Sequence, residues 1–517
     1  METLQSYLAG QWVSGAPSGA RTLLDPSTEE PVAVTSTEGL SLEPAFRWAR
    51  EKGGPALRAM TFAERGAMLA RLSQAAREAR EELLAASTRN NGATRSDAKF
   101  DVDGAIGTLA YYASLGERLG DRRHLPDGEG EALGRSARYW GRHLWQPRPG
   151  VAVHVNAFNF PAWGLGEKLA VALLAGVPVV SKPATATALT AWLLARRLLE
   201  SGAMPEGAFQ FLCGGAGDLL DHLGPQDALA FTGSSDTAAT IRCHEAFVRR
   251  GARLNVEADS LNATVLLPGE APGSDIWHRL VRDVAREVTQ KAGQKCTATR
   301  RVLVPREHLE AFAEALLEAL QVPYGDPGRS EVRMGPLATA AQRDDVLAGI
   351  ERLEAAGARR LTGDPRAPEP VGVPAGKGFF VPPTLLVADD PHGCEAVHRF
   401  EVFGPVTTLL PYEGIEDAAA LVERGEGALV TAVYGDDRKA ARALVERLGP
   451  WTGRLLLVSG KVVDQATPPG WVLPGCVHGG PGRAGGGEEL GGERGLFFYW
   501  QRTALQGDRA LLDRIVG

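Results

Sequence analysis

From residue 151 to about residue 257 the chain repeats one unit, a short apolar run followed by a stretch of helical spacing. VAVHVNA, VPVVSK, AFQFLC, DALAFTG and ARLNVEA are the apolar runs. Between them WGLGEKLAVALLAG, which stops at Gly176, and LTAWLLARRLLESG carry apolar residues at helical intervals, and DTAATIRCHEAFVRR is a further helical run. Strand–helix alternation of this kind is built by right-handed crossovers into an open, mostly parallel, doubly wound α/β sheet. Such sheets bind ligands beyond the carboxyl ends of their strands. Functional residues are therefore expected where these runs end.

A second α/β unit follows. IWHRLVRDVAREVTQKAG sets Ile276, Leu280, Val281, Val284, Ala285 and Val288 on one helical face, and RRVLVPREHLEAFAEALLEAL reads as strand then helix. The end differs: the glycine-rich HGGPGRAGGGEELGGERG leads into an aromatic strand, LFFYWQ. Such a strand needs an edge, which either another subunit or its own chain supplies. SARYWGRHLWQPR, ahead of the first buried strand, is a candidate for the same small interface module.

Composition narrows the partners. A chain of 517 residues suits two or three domains. The net charge of −7 is spread along the chain and argues against nucleic acid; the basic cluster RYWGRHLWQPR reads as a solvated hairpin. Cys213, Cys243, Cys296, Cys394 and Cys476 are scattered without C-x-x-C, which suits a reducing compartment and excludes a disulfide framework. The opening METLQSYLAGQWVSG has no secretory pattern, and runs such as VALLAG fall far short of a membrane span. A cytoplasmic protein without a membrane partner is expected. With no H-E-x-x-H, paired histidines or Walker loop, neither a metal nor P-loop chemistry is expected.

Cys296 in TQKAGQKCTATRR follows an amphipathic run and a glycine, with basic residues on both sides. It is either a reactive thiol or a small residue on a tight turn. A thiol is a few per cent ionised at neutral pH and gains from a cationic or hydrogen-bonding setting. Its attack on a carbonyl needs donors for the oxyanion. Asn159 of NAFNFPAWG is the amide candidate, and equally a turn-forming Asn. Glu257 ends RLNV at the ligand edge, where a carboxylate activates water or simply caps a strand. FTGSSD (Thr232, Gly233, Ser234) opens a helix whose free N–H groups suit a phosphate as well as an N-cap. Lys182 of SKPATAT ends a strand beside hydroxyl side chains. FLCGGAGDLL, with Gly217, is a weak nucleotide signal because its glycines are not spaced G-x-G-x-x-G.

NAFNFPAW, VVSKPAT, FTGSSDTA, LNVEADS, GQKCTATRR and EVFGPV stand in the order and spacing of the aldehyde dehydrogenase superfamily, and the chain resembles it from YLAGQWV to LFFYWQ. ARLNVEADSLN and VHGGPGRAGGGEELGG resemble a branch that oxidises CoA-linked semialdehydes in aromatic-ring catabolism. The resemblance implies a Rossmann-like cofactor domain (residues 1–122 and 148–262), an α/β catalytic domain (263–472) and a small β oligomerisation module (123–147 and 473–517) in a homo-oligomer, a dimer favoured. It implies Cys296 as nucleophile, Asn159 with the Cys296 amide as oxyanion donors, and Glu257 as the base for the deacylating water. Glu401, Phe403 and Phe158 then hold the nicotinamide end, Thr232, Gly233, Ser234 and Gly217 the phosphates, and Lys182 the adenosine ribose.

Three departures from the family pattern stand out. Where NAD-using members carry a Glu, this chain has Thr185, so NADP is expected over NAD: a carboxylate would repel a 2′-phosphate. Asp259 adds a charge after the presumed base. Glu167, before Lys168, is either a second proton-handling group with that lysine or a salt-bridged surface residue. The rival readings are a CoA-acylating or general semialdehyde dehydrogenase, and a silent structural member of the superfamily.

Overall fold

Two seven-stranded sheets frame the computed structural model, which describes residues 2–516. In the first, Ala152–Val155 lies beside Val179–Lys182 and then Phe209–Phe211 on one side. On its other side stand Ala228–Thr232 and Arg253–Glu257. These five strands are parallel, and the order reverses between Ala152–Val155 and Ala228–Thr232. A crevice opens beyond the carboxyl ends at such a reversal, because the crossovers on its two sides diverge. The loop beginning at Asn156 and the turn at Gly233 both start there.

The stretch YLAGQWV lies in a hairpin. Ser6–Leu8 and Gln11–Val13 pair antiparallel and extend the first sheet. Ala9 and Gly10 both have positive φ (49° and 83°), the two-residue turn that folds a ribbon back on itself. The run DTAATIRCHEAFVRR is likewise divided, into helices Ser235–Arg242 and Glu245–Val248, with His244 Nδ1 accepting from the Ala246 N–H.

The second sheet starts at Ala263–Leu266, flanked by Arg301–Pro305 and Ala428–Tyr434. Its strands are parallel apart from the two-residue Arg359–Arg360. The helix Asp275–Thr289 buries all six residues of the face read from the sequence. A third, antiparallel sheet joins Trp500–Asp508, Tyr139–Pro147 and Leu125–Ala132. Here the sequence reading needs correcting: Leu496–Tyr499 lie in the 3-10 segment Gly492–Tyr499, and the strand begins only at Trp500. The aromatics that suggest a strand are anchors. Phe497 stacks on Trp145 at 4.5 Å, and Tyr499 Oη lies 3.0 Å from buried His154 Nε2. Of the two edges considered, the terminal strand takes the one in its own chain, Tyr139–Pro147. Among the described residues, no helix is long and apolar enough to cross a membrane.

Candidate active site

The crevice narrows to a cavity whose wall includes Asn159, Glu167, Lys168, Thr232, Glu257, Cys296 and His478, with Phe100, Phe160 and Trp163 on its apolar side. Cys296 reaches it through a sharp exit from the helix Asp275–Thr289. Lys291 and Ala292 both take the left-handed conformation (φ 53° and 52°). That costs an L-residue roughly 1–2 kcal/mol each, and buried contacts hold it. Lys291 Nζ lies 3.3 Å from Asn91 Oδ1 and 4.6 Å over the Phe160 ring. Burial would discharge this lysine, and the Asp101 and Asp97 carboxylates oppose that.

Neither basic neighbour serves the sulfur. Lys295 is wholly buried on Glu287 (2.7 Å) and Gln290 (3.0 Å). Arg300 is spent on Glu401 and on the carbonyls of Gly293, Gly404 and Lys295. Burial first, and then the Glu257 charge, push the Cys296 thiol well above its ordinary value.

Asn159 precedes the helix Pro161–Ala175, whose free N–H groups at Ala162 and Trp163 donate to buried Asp101. Its Nδ2 donates to Gln294 O at 3.0 Å, which uses one of two amide hydrogens and ties the side chain to the Cys296 turn. Among the described residues, nothing accepts from the Cys296 N–H.

Glu257 ends its strand in register with Thr232 and is buried. Its Oε2 lies 3.0 Å from His478 Nε2, and that nitrogen is 3.9 Å from Cys296 Sγ. Burial would raise the Glu257 pKa, but a protonated His478 outweighs it and holds the carboxyl well below the usual range. His478 in turn is raised by Glu257 against its own burial.

The glycine-rich segment explains how a residue so far along the chain arrives here. Val477–Gly479 pairs with Glu488–Leu490, and the connecting loop lies directly on the end of Arg253–Glu257. Ala258 N donates to Ala484 O at 3.0 Å and Gly487 N to Val256 O at 3.1 Å. A Cβ at Gly485 (φ +107°) would strike the Val256 carbonyl, so only glycine permits this approach.

Behind the cavity Glu167, Lys168 and Glu489 form a buried chain. Lys168 Nζ is 3.2 Å from Glu167 Oε1 and 3.0 Å from Glu489 Oε2, and Asn255 Nδ2 donates to Glu489 Oε1. Desolvation opposes the lysine charge, but Glu489 and Glu167 more than offset it and raise its pKa. Glu167 is therefore paired, as one of its two readings held, yet it is buried rather than on the surface.

A model of the aldehyde dehydrogenase family matches residues 12–502. This chain belongs to that family. It is an NAD(P)-dependent aldehyde oxidoreductase. It is 44% identical over 479 residues to the 3,4-dehydroadipyl-CoA semialdehyde dehydrogenase of Aromatoleum evansii, covering 92% of this chain and 93% of that one. The α-ketoglutaric semialdehyde dehydrogenase of Bacillus subtilis is 28% identical over 474 residues, covering 90% and 92%. Among solved structures, PnpE in complex with nicotinamide adenine dinucleotide superposes with a TM-score of 0.84 at 25% identity, 98% of each chain covered.

In this aldehyde dehydrogenase the residues expected to meet the nucleotide line the same sheet edge. Thr232 Oγ1 is buried without a hydrogen-bond partner, as a hydroxyl awaiting a polar ligand would be. Ser234 caps Ser235–Arg242 and leaves the outer face of that helix start exposed. Gly233 N donates to Glu257 O, which joins the two strand ends. Lys182 Nζ meets only its neighbour's carbonyl, Pro183 O, at 3.0 Å, and Thr185 Oγ1 donates to Gly214 O. Gly217 is exposed in the loop after Phe209–Phe211. Across the cleft Phe403 packs edge-on to Phe158 at 5.8 Å. Glu401 accepts from Arg300 and Ser260 N, and burial pushes its carboxyl up to about 7. The orphaned Thr232 hydroxyl, the uncrowded helix start and the under-used Lys182 fit an NAD(P) nucleotide.

Asp259, whose role the sequence leaves open, accepts from Ser235 N at 3.2 Å and so occupies one donor of that helix start. His478 and Glu489 were missed. The signal that held them is VHGGPGRAGGGEELGG, where glycine density marks a close backbone approach and thus a loop carried into the site.

Proposed function

We propose that this enzyme oxidises a CoA-linked semialdehyde of the 3,4-dehydroadipyl type to the free acid, with water as acyl acceptor and NADP preferred to NAD. The juxtaposition of Glu257, Cys296 and Asn159 in one cavity carries the reading. The full-length likeness to the Aromatoleum enzyme supports the substrate class.

Cys296 Sγ attacks the aldehyde carbon and forms a thiohemiacetal. The Asn159 amide and the Cys296 N–H hold the developing oxyanion, since each keeps a hydrogen to donate. NAD(P), when bound, would supply the hydride acceptor, and Cys296 would then hold the acyl group as a thioester. Glu257 Oε1, buried without a partner, then takes a proton from the water that cleaves the thioester. The acid departs and the sulfur is restored. Glu167 and Lys168 handle protons behind Glu257, along the chain that ends at Glu489.

Thr232, Gly233, Ser234 and Gly217 would hold the nucleotide phosphates. Lys182 and Thr185 would receive the adenosine ribose and a 2′-phosphate; no carboxylate stands at position 185 to repel it. Phe158, Glu401 and Phe403 would hold the nicotinamide end. Trp500–Asp508 has no strand on its outer side among the described residues, and we place a dimer contact at that edge.

The deciding assay is NADPH formation, without added CoA, on a CoA-linked six-carbon semialdehyde and on its thioester-free analogue. Preference for the CoA-linked aldehyde with release of a free carboxylate is expected. Equal use of the free aldehyde would remove the substrate assignment. A requirement for added CoA would replace water with CoA as acceptor. A higher kcat/KM with NAD than with NADP would show the Thr185 argument wrong.

A further inference from the structure

His478 touches both reacting protein groups. A single nitrogen, Nε2, lies 3.0 Å from Glu257 Oε2 and 3.9 Å from Cys296 Sγ, and the three donor atoms fall within 4.8 Å of one another. Both His478 and Glu257 are nearly fully buried, at 6% and 2% exposure.

The site sets its thiol a problem. Cys296 must ionise beside a carboxylate, and two anions at this spacing in a desolvated cavity repel strongly. Lys295 and Arg300 are engaged elsewhere. Lys168 lines the same cavity but is shared between Glu167 and Glu489, and the Arg454 guanidinium donates to the carbonyls of Trp471 and Pro469. If Glu257 itself took the thiol proton, it would be a neutral acid when a base is next required for water. An imidazole facing both groups removes the conflict.

We infer that His478 accepts the Cys296 thiol proton at Nε2, so that the nucleophile forms as a thiolate–imidazolium pair while Glu257 stays ionised for the water step. The inference rests on the proposed roles of Cys296 and Glu257. The Sγ–H bond breaks, its electron pair stays on sulfur, and the proton forms an Nε2–H bond directed between sulfur and Glu257 Oε2. No electrons change owner. When the thioester is later cleaved, the sulfur leaves as the thiolate and needs no second deprotonation.

The surroundings favour a proton on this imidazole. Glu257 faces it from the end of Arg253–Glu257, Glu489 from the paired strand, where the two residues are in register, and Glu167 from the helix Pro161–Ala175. Lys168, on that same helix, is the opposing cation, and it is shared between Glu489 and Glu167. Burial alone would lower the His478 pKa; the three carboxylates reverse that, Glu257 most of all.

The test is the pH dependence of iodoacetamide inactivation of the nucleotide-free enzyme, from about pH 5.5 to 9.5, with the alkylated peptide identified by mass. Wild type, His478→Gln and His478→Phe are compared. The Gln variant keeps a buried polar side chain that cannot take a proton, and thermal unfolding together with nucleotide binding checks that each variant is folded. Wild-type Cys296 is expected to react at lower pH than in either variant, the imidazole working against the burial and the Glu257 charge that push the thiol up. Both variants should shift upward and lose at least about tenfold in rate at pH 7. Superimposable profiles would overturn the inference and leave the nucleophile assignment intact. Alkylation at Cys296 without loss of aldehyde oxidation would overturn the proposed function as well, and is read from a separate measurement.

Discussion

Glu257→Gln keeps the size of the side chain and removes its charge, so it separates the two halves of the proposed reaction. Glu257 Oε2 is taken up by His478, while Oε1 is buried and unpartnered. The free oxygen is the one a water would use. A positioned general base contributes about 10²–10⁴-fold, which is about 2.7–5.4 kcal/mol of barrier at about 1.36 kcal/mol per tenfold. The charge that makes Glu257 a base also pushes the Cys296 thiol up, so its removal leaves the sulfur able to attack the aldehyde. Stopped-flow mixing with aldehyde and NADP should therefore show a burst of one NADPH per site. A linear phase at least about hundredfold slower than wild type should follow. Intact-protein mass should show an acyl adduct that maps to the Cys296 peptide and is absent from wild type at steady state. Steady-state turnover close to that of wild type, with no burst, would refute the assignment of Glu257 as the base.

Asn159→Ala should lower kcat about 10²–10³-fold, the usual cost of one oxyanion donor, with the nucleotide Kd unchanged by fluorescence titration. Lys168→Met strands Glu167 and Glu489 in the interior and should destabilise the fold by about 3–5 kcal/mol in denaturant unfolding near pH 8. The deficit should shrink as pH falls: Glu489, whose pKa is raised in the folded state, gains a proton there first, so the stability its charge costs at high pH returns at low pH. Glu401, pushed up to about 7, should make nucleotide affinity fall with pH. The ionised fraction drops about tenfold between pH 8 and pH 6 for such a group, so Kd should rise by a similar factor in wild type and stay flat in Glu401→Gln.

The doubly wound sheet was legible because alternation of apolar runs and helical periods is a local property, and each run became the strand it resembled. Asn159, Glu257 and Cys296 could be offered as candidates because strand ends and a polar, glycine-preceded turn are also local, but their roles came only from the family resemblance. Partnership was not legible. Lys295 and Arg300 flank Cys296 in sequence but turn to Glu287 and Glu401, since the left-handed bend at Lys291 and Ala292 sets directions that spacing does not carry. His478 lies 182 residues beyond Cys296 and reaches it only because glycines let a loop press on Val256. The terminal strand was misplaced for a related reason: the side chains of LFFY are spent on Trp145 and His154 contacts, not on a pleated face.

The docking of the Val477–Leu490 loop on the end of Arg253–Glu257 has a consequence in time. At about 5–20 residues per second, the ribosome makes Cys296 and Glu257 many seconds before it makes His478. A growing chain thus carries the thiol and the carboxylate while the group that lets them coexist as anions is still missing. If His478 takes the thiol proton, Cys296 gains its reactivity only when the Val477–Leu490 loop closes over the strand end.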